Sequence, residues 1–448
     1  MITTYDEAVE YILETPKFTT KHSMKETGKF YEFLGLPLNG KKIVHVAGTN
    51  GKGSVCSFIR CVLEESGYHT ATFVSPHLVD IRERFLFDGI MAGKEEFLEA
   101  FNKLMEKLSK YNRGDGMGCE ESSTSPENYE YHPSFFEFVF FMFTLMERAE
   151  NADYIVIETG LGGRLDATNI IPDKTVTVIT EIGLDHTEYL GDSITDIAME
   201  KAGILRKDTP VIYLKDNAES AYVIEKRMRD ICGRPDISGL LFGVRKSDAQ
   251  NVVMKKGRID FTAFSFFYKF VHIMIKANAS YQVENALLAL RALDALMEIS
   301  ADITKEEIMR GFSAMFWEGR MQEIMPDVYV DGAHNEDGIR KFLEGASQII
   351  REKGGKASLL FAVMKDKRYE AMVKQITASG LFERICFTKA GGNRGTSEDI
   401  LMRLVPGAET KESAEDAFAE LVGDKKPGNL VFVAGSLYLV GDILKQTK

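Results

Sequence analysis

Cysteine is scarce in this sequence, and positive charge is in deficit. Five cysteines, Cys56, Cys61, Cys119, Cys232 and Cys386, are scattered over 448 residues with no C-x-x-C pair. An odd, dispersed set argues against both a disulfide framework and a zinc site, and it fits a reducing cytoplasm. Lysine and arginine total 55 against 67 acidic residues, a net charge of −12. General nucleic-acid and membrane-surface binders need broad positive fields, so neither partner is expected, and anionic ligands must meet local positive sites. Long apolar runs are missing too. The longest, Phe135 to Met146, is interrupted by Glu137; it falls well short of the roughly 20 residues of a membrane span and reads as a buried helix. The opening MITTYDEAVEYILETPKF places acids early and lacks a basic-then-apolar pattern, which argues against secretion. No internal repeat is visible.

Apolar content, at 44%, is sufficient for large cores. The length exceeds what one core holds, so two or three domains of roughly 100 to 200 residues are expected. Strand and helix patterns alternate, which predicts an α/β fold with a mostly parallel sheet and helices on both faces. The β-rich runs are Ile43 to Val46, Thr70 to Val74, Tyr154 to Ile157, Thr175 to Thr180 and Pro210 to Leu214. Helical patterns between them include Val55 to Glu65, Glu95 to Leu108 and Ser193 to Lys201. From Asn251 to Ile275 short strands follow one another around a Lys-Gly turn, predicting a small antiparallel appendage. Helices over Val283 to Glu298 and Thr304 to Phe316 come next, and a second alternating series starts at Met321. The boundary is placed near Trp317 to Arg320, giving domains 1–316 and 317–448. Asn112 to Asn128, rich in Gly, Ser and acids, reads as an exposed insertion.

The most informative stretch is KKIVHVAGTNGKGS, Lys41 to Ser54. An apolar strand breaks into a glycine-rich turn and a helix follows. Such a turn lets backbone N–H groups crowd an anion, Lys52 can reach terminal phosphates, and the Ser54 hydroxyl can hold Mg²⁺. The spacing departs from the common phosphate loop, because Gly48 is followed by Thr-Asn-Gly-Lys-Gly-Ser. A tight strand-to-helix connection without a ligand is the competing reading.

Other strand ends repeat the theme, and ligands gather at such ends in open α/β sheets. DYIVI runs into Glu158 and then TGLGGRLDATN, whose glycines allow close backbone approach. Glu158 suits Mg²⁺ as a carboxylate ligand, or else it is a solvated loop acid. KTVTVIT leads to Asp185 and His186, and a lone histidine is more often structural. Lys201 and Gly203 close the following helix, where Lys complements the negative terminus and Gly caps it. VYVDGAHN sets Asp331, His334 and Asn335 at a further strand tip, and Arg320 stands just before it in WEGRMQ. That guanidinium can reach phosphate across a cleft or bridge two domains by an ion pair.

Taken in order, HVAGTNGKGS, FVSPHLVDIRERF, ETGLGGRLDATN, LDHTEYLG, IAMEKAGI, QVENALLAL, DGAHN and GSLYLVG resemble the folylpolyglutamate synthase and dihydrofolate synthase family of the Mur ligase superfamily. The resemblance spans nearly the whole chain. It implies an N-terminal phosphate-loop ATPase domain, a smaller Rossmann-like C-terminal domain, and an active site between them. The implied activity is ATP-dependent addition of L-glutamate to folate, with dihydropteroate as a further candidate acceptor, in a cytoplasmic monomer. Lys52, Lys201 and His334 take catalytic roles. Asn50, Gly51, Lys52, Gly53, Ser54, Asn285, Arg320 and Asp331 are implied to bind nucleotide. Ser54, Ser75, Glu158, His186 and a carbamylated Lys201 are implied around two Mg²⁺ ions, with Asp166 and Ser436 near folate and glutamate. The family usually carries proline where Glu318 stands, which predicts a looser hinge. A different Mur-type ligase, or a nucleotide-binding protein without turnover, is the alternative.

Overall fold

The computed structural model describes residues 2–16, 23–114, 130–255, 257–389 and 395–447. Cys119 and most of the expected insertion lie outside that set. Eight strands form the first sheet: β1 (Lys42–Ala47), β2 (Thr70–Phe73), β3 (Phe85–Phe87), β4 (Ile90–Met91), β5 (Tyr154–Glu158), β6 (Val176–Ile179), β7 (Val211–Leu214) and β8 (Leu241–Val244). Their order is β4-β3-β2-β5-β1-β6-β7-β8. All neighbours pair in parallel except β3 with β2 and β4 with β3, which are antiparallel. The expected strands are all present. The β3–β4 hairpin was not expected: its strands are only three and two residues long, joined by Asp88-Gly89 with both φ angles positive, a favoured hairpin turn.

The chain leaves β1 for β2 by passing over β5, and later passes from β5 to β6 across β1. Strand order thus reverses around β1, and a crevice opens at its carboxyl end. Alternate β1 side chains enter opposite cores. Val44 and Val46 pack beneath helices Lys52–Glu65 and Tyr281–Ile299, whereas Ile43 joins a phenylalanine-rich core with helices Lys94–Asn112 and Phe135–Leu145. Almost every residue of Phe135–Leu145 is buried, Glu137 included, as its dominantly apolar pattern predicts. Among the described residues no helix is long and apolar enough to cross a membrane.

The appendage is a three-stranded antiparallel sheet of β9 (Ala249–Lys255), β10 (Arg258–Ser265) and β11 (Lys269–Lys276). Only one face is covered: Ile259, Phe261, Val271 and Ile273 enter the core shared with helix Lys52–Glu65. The third sheet holds β12 (Gln322–Met325), β13 (Val328–Val330), β14 (Ala357–Phe361), β15 (Arg384–Thr388), β16 (Glu409–Lys411) and β17 (Leu430–Ala434), ordered β12-β13-β17-β14-β15-β16. EIMPDVYV forms a hairpin turning at Asp327 with φ +65°. The first two sheets use only residues before the proposed boundary and the third only residues beyond it.

Close helix packing fixes one glycine. Helix Lys305–Ala314 crosses helix Lys52–Glu65 so tightly that a Cβ on Gly311 would stand 2.5 Å from Val62 Cα. Helix propensity alone favours Gly311→Ala by about 1 kcal/mol, but the backbone clash outweighs it, and a net loss of about 1–3 kcal/mol in urea unfolding is expected. Gly28 lies inside helix Met24–Phe33 with open space around it, so Gly28→Ala should stabilise by roughly 0.5–1 kcal/mol. Equal signs for the two variants would refute the packing account.

Candidate active site

The turn after β1 is walled on three sides. A Cβ at Gly48 would lie 1.8 Å from Thr180 Oγ1, one at Gly51 2.2 Å from Asn285 Oδ1, and one at Gly53 2.7 Å from the Trp317 ring. Gly51, at φ +89°, sits at the N-cap and no side chain caps the helix, which starts at Lys52 instead of the expected Val55. Its first N–H groups are left for an anion. Lys52 Nζ donates to Thr49 O at 3.2 Å and stands 3.8 Å from Glu158 Oε1. Behind the loop, Gln282 Nε2 donates to Ser54 Oγ (3.2 Å) and Asn285 Nδ2 to Gln282 Oε1 (2.9 Å).

Glu158 ends β5 and is buried; Ser75 N donates to its Oε2 at 3.1 Å. Burial pushes its carboxyl above the ordinary range, and Lys52 pulls it back. Lys201 is equally buried. Its Nζ donates to Gly48 O at 2.7 Å, and burial with the nearby Lys52 charge brings it down to about 7. An amine so placed is substantially uncharged near neutral pH.

The third sheet faces this turn with its own strand ends. Beyond β13, buried Asp331 accepts from Tyr281 Oη (2.9 Å), Met321 N (2.7 Å) and Ala333 N (2.8 Å). A Cβ on Gly332 would lie 2.3 Å from Arg320 Nη1, which places that guanidinium against the same strand end. Beyond β17, buried Ser436 accepts from Tyr438 N at 3.2 Å and opens the last helix, Leu437–Thr447.

Asn335 crosses the cleft, donating to Asn50 Oδ1 and to Asp185 Oδ2, both at 3.0 Å. Lys367, beyond β14, donates to Asp185 Oδ1 at 2.6 Å and lies 3.2 Å from His186 Nε2. His334 Nδ1 donates to Gly332 O at 2.7 Å, leaving Nε2 at 3.6 Å from Asp185 Oδ2. Hydrogen bonding and the surrounding cations hold the Asp185 carboxyl well below its usual range despite burial, and burial takes His186 down to about 4.

Among the described residues no group of three or more His, Cys, Asp or Glu side chains is placed to hold a metal ion, and the Lys367 ammonium lies 3.2 Å from His186 Nε2. Asp166 is spent locally: Gly160 N and Leu161 N donate to Oδ2 at 2.8 Å each, and Thr168 N to Oδ1 at 3.0 Å. These bonds fold the glycine loop around its carboxylate. Sequence reasoning passed over Lys367, Lys341, Tyr281 and Gln282, whose partners lie far away in the chain.

Residues 94–293 match the Mur ligase middle domain and residues 319–437 the Mur ligase glutamate ligase domain. The dihydrofolate synthase/folylpolyglutamate synthase of Bacillus subtilis is 30% identical over 464 aligned residues, covering 100% of both chains. The chain belongs to the folylpolyglutamate synthase/dihydrofolate synthase family. The folylpolyglutamate synthase of Lacticaseibacillus casei is 26% identical over 98% of this chain and 97% of its own. A solved FPGS–AMPPCP–folate complex superposes with TM-score 0.82 at 25% identity, covering 99% of each chain. The Mycobacterium tuberculosis folylpolyglutamate synthase complexed with ADP shares the fold, with TM-score 0.85. The two-domain α/β architecture of this family is therefore that of the chain described above.

One more group joins the two domains. Lys341, from helix Glu336–Lys353, pairs with Glu181 Oε1 (2.9 Å) and Glu284 Oε2 (2.8 Å), all three largely buried. Glu181 in turn accepts from Thr49 N through its carbonyl at 2.7 Å. Lys341→Met strands two acids and should cost about 1–3 kcal/mol in denaturant unfolding. Adding Glu284→Gln should restore part of that loss; strict additivity in the double variant would show that the pair is not coupled.

Proposed function

We propose that this chain is an ATP-dependent ligase that adds L-glutamate to the γ-carboxyl of a reduced folate through an acyl phosphate. Its two working parts are 1–316, which handles ATP and the acid, and 317–448, which completes the site. The reading rests on an uncapped helix start with Lys52 beside buried Glu158, facing Arg320, Asp331 and His334 across one cleft. The solved relative that carries AMPPCP and folate together supports the same assignment. In this reading Asn50, Gly51, Lys52, Gly53 and Ser54 cradle the phosphates. Asn285, Arg320 and Asp331 hold the rest of the nucleotide.

A carboxylate is a poor acyl donor, because oxide would have to leave. One of its oxygens attacks the γ-phosphorus of ATP, the bond to the β-phosphate oxygen breaks, and ADP departs. Lys52 and the free N–H groups of the helix start lower the cost of the charge spread in that transfer. The glutamate amine then attacks the acyl carbon, a C–N bond forms, the C–O bond breaks, and phosphate leaves with the electron pair. His334 Nε2, whose partner Nδ1 is fixed on Gly332 O, takes the amine proton, and Asp185 steadies the resulting imidazolium. Closure excludes water from the acyl phosphate. Lys367 supplies a cation for a glutamate carboxylate, and Ser436 stands at the neighbouring helix start.

Ser54, Ser75 and Glu158 form a hard-oxygen set of the kind Mg²⁺ prefers, and Mg²⁺ held there would offset phosphate charge. The His186 position fits a second ion less well, because Lys367 already places an ammonium 3.2 Å from its Nε2. Lys201 suits carbamylation: its buried amine, brought down to about 7, attacks CO₂ as the free base and releases one proton on forming the carbamate.

The test is an incubation with ATP, Mg²⁺, L-glutamate and either tetrahydrofolate or dihydropteroate, reading phosphate release and product mass. Stoichiometric phosphate and a product one glutamyl unit heavier are expected with at least one acid. ATP turnover with neither acid would overturn the reading in favour of a different Mur-type ligase, and no turnover would favour a nucleotide-binding protein. Peptide mass analysis in bicarbonate should find Lys201 heavier by one CO₂, and Lys201→Ala should lose most turnover. An unmodified Lys201 in a fully active preparation would dismiss the carbamate.

A further inference from the structure

Arg84 is a buried cation that neither the family match nor the mechanism above has used. It lies on the segment joining Ser75 to β3 and is 5% exposed. Its Nε donates to His77 Nδ1 at 2.9 Å and its guanidinium lies 5.3 Å from the Phe135 ring centroid. Among the described residues no carboxylate forms an ion pair with it, and neither Nη group donates a hydrogen bond to protein. Glu83, the nearest acid in sequence, is spent on the backbone N–H groups of Leu78, Val79 and Asp80. An unpaired buried charge is costly, and burial brings this guanidinium down to about 10. It is still charged at neutral pH, so the fold sustains that cost at this position.

The surroundings show what the charge faces. Glu158, beside Lys52, and Tyr438, from the last helix, are its principal electrostatic neighbours. The Phe136 ring lies so close to the glycine loop that a Cβ at Gly160 would meet it at 2.6 Å. Leu78 packs on the same last helix, where a Cβ at Gly441 would reach Leu78 O at 2.1 Å. Arg84 therefore stands where the phosphate-loop side, an aromatic ledge and the C-terminal helix meet. We propose that Arg84 binds, through its two Nη groups, the carboxylate of the acid to be activated and holds it toward the phosphate loop. Two parallel N–H donors match a carboxylate in a way that an ammonium cannot. The assignment rests on the ligase reading for the identity of the acid, but binding of an aromatic carboxylate can be measured without turnover.

The experiment compares wild type, Arg84→Lys and Arg84→Ala. The KM for tetrahydrofolate or dihydropteroate should rise roughly 10- to 100-fold in Arg84→Ala, with ATP affinity by calorimetry and thermal melting unchanged. Arg84→Lys should recover only part, and added guanidine should partly rescue Arg84→Ala. Calorimetry with the acid in the absence of ATP keeps the two proposals apart. Acid bound by wild type and lost in Arg84→Ala supports the clamp even if no product forms, whereas catalysis by wild type with an unchanged KM in both variants overturns the clamp alone. Joint loss of ATP affinity and cooperative melting in both variants would make Arg84 structural and overturn it as well.

Discussion

The turn from β1 into the helix at Lys52 is a constraint from which the remaining geometry follows. Its three tight glycines are pressed by Thr180, Asn285 and Trp317, which come from the end of β6, a helix of the same domain and the junction to the next. No side chain can be added at these positions without displacing one of those neighbours. The helix start therefore keeps its N–H groups unclaimed, at the one end of the sheet where strand order reverses. A ligand site of this kind is an absence of side chain maintained by packing from several directions.

Contacts from the second domain converge on the same turn. Asn335 reaches Asn50 directly, and Lys341 grips Glu181, whose carbonyl holds Thr49. Lys367 and His334 meet at Asp185, a strand tip away. Side chains of the second domain thus reach the glycine-rich turn itself and the residue that anchors it.

Much of this was legible in sequence because function here sits at strand ends, and a strand followed by glycine and dense polar residues is a local signal. The phosphate loop, Glu158 and the DGAHN turn are of that sort. Residues whose partners lie elsewhere in the chain gave no such signal. Lys367 in MKDKR reads as a surface lysine until β14 carries it to Asp185, and Arg84 reads as one of two arginines in a charged turn until Phe135 buries it. Lys201 is the intermediate case: its helix-end position satisfies it locally, and only its burial and its bond to Gly48 O separate it from an ordinary capping lysine. The two-residue β4 and the three-residue β3 and β16 escaped because so short a run carries no period.

A chain with net charge −12 nonetheless gathers Lys52, Arg84, Lys201, Arg320 and Lys367 around one cleft. Burial holds down the two most enclosed of them: Lys201 is brought to about 7, with the nearby Lys52 charge adding to the effect, and Arg84 to about 10. Glu158 and Asp185 offset only part of it. Negatively charged ligands are the ones such a cluster of cations attracts. The acidic surface and the cationic cleft then act together: the surface disfavours indiscriminate binding of polyanions, and binding of anions is concentrated where the chemistry needs them.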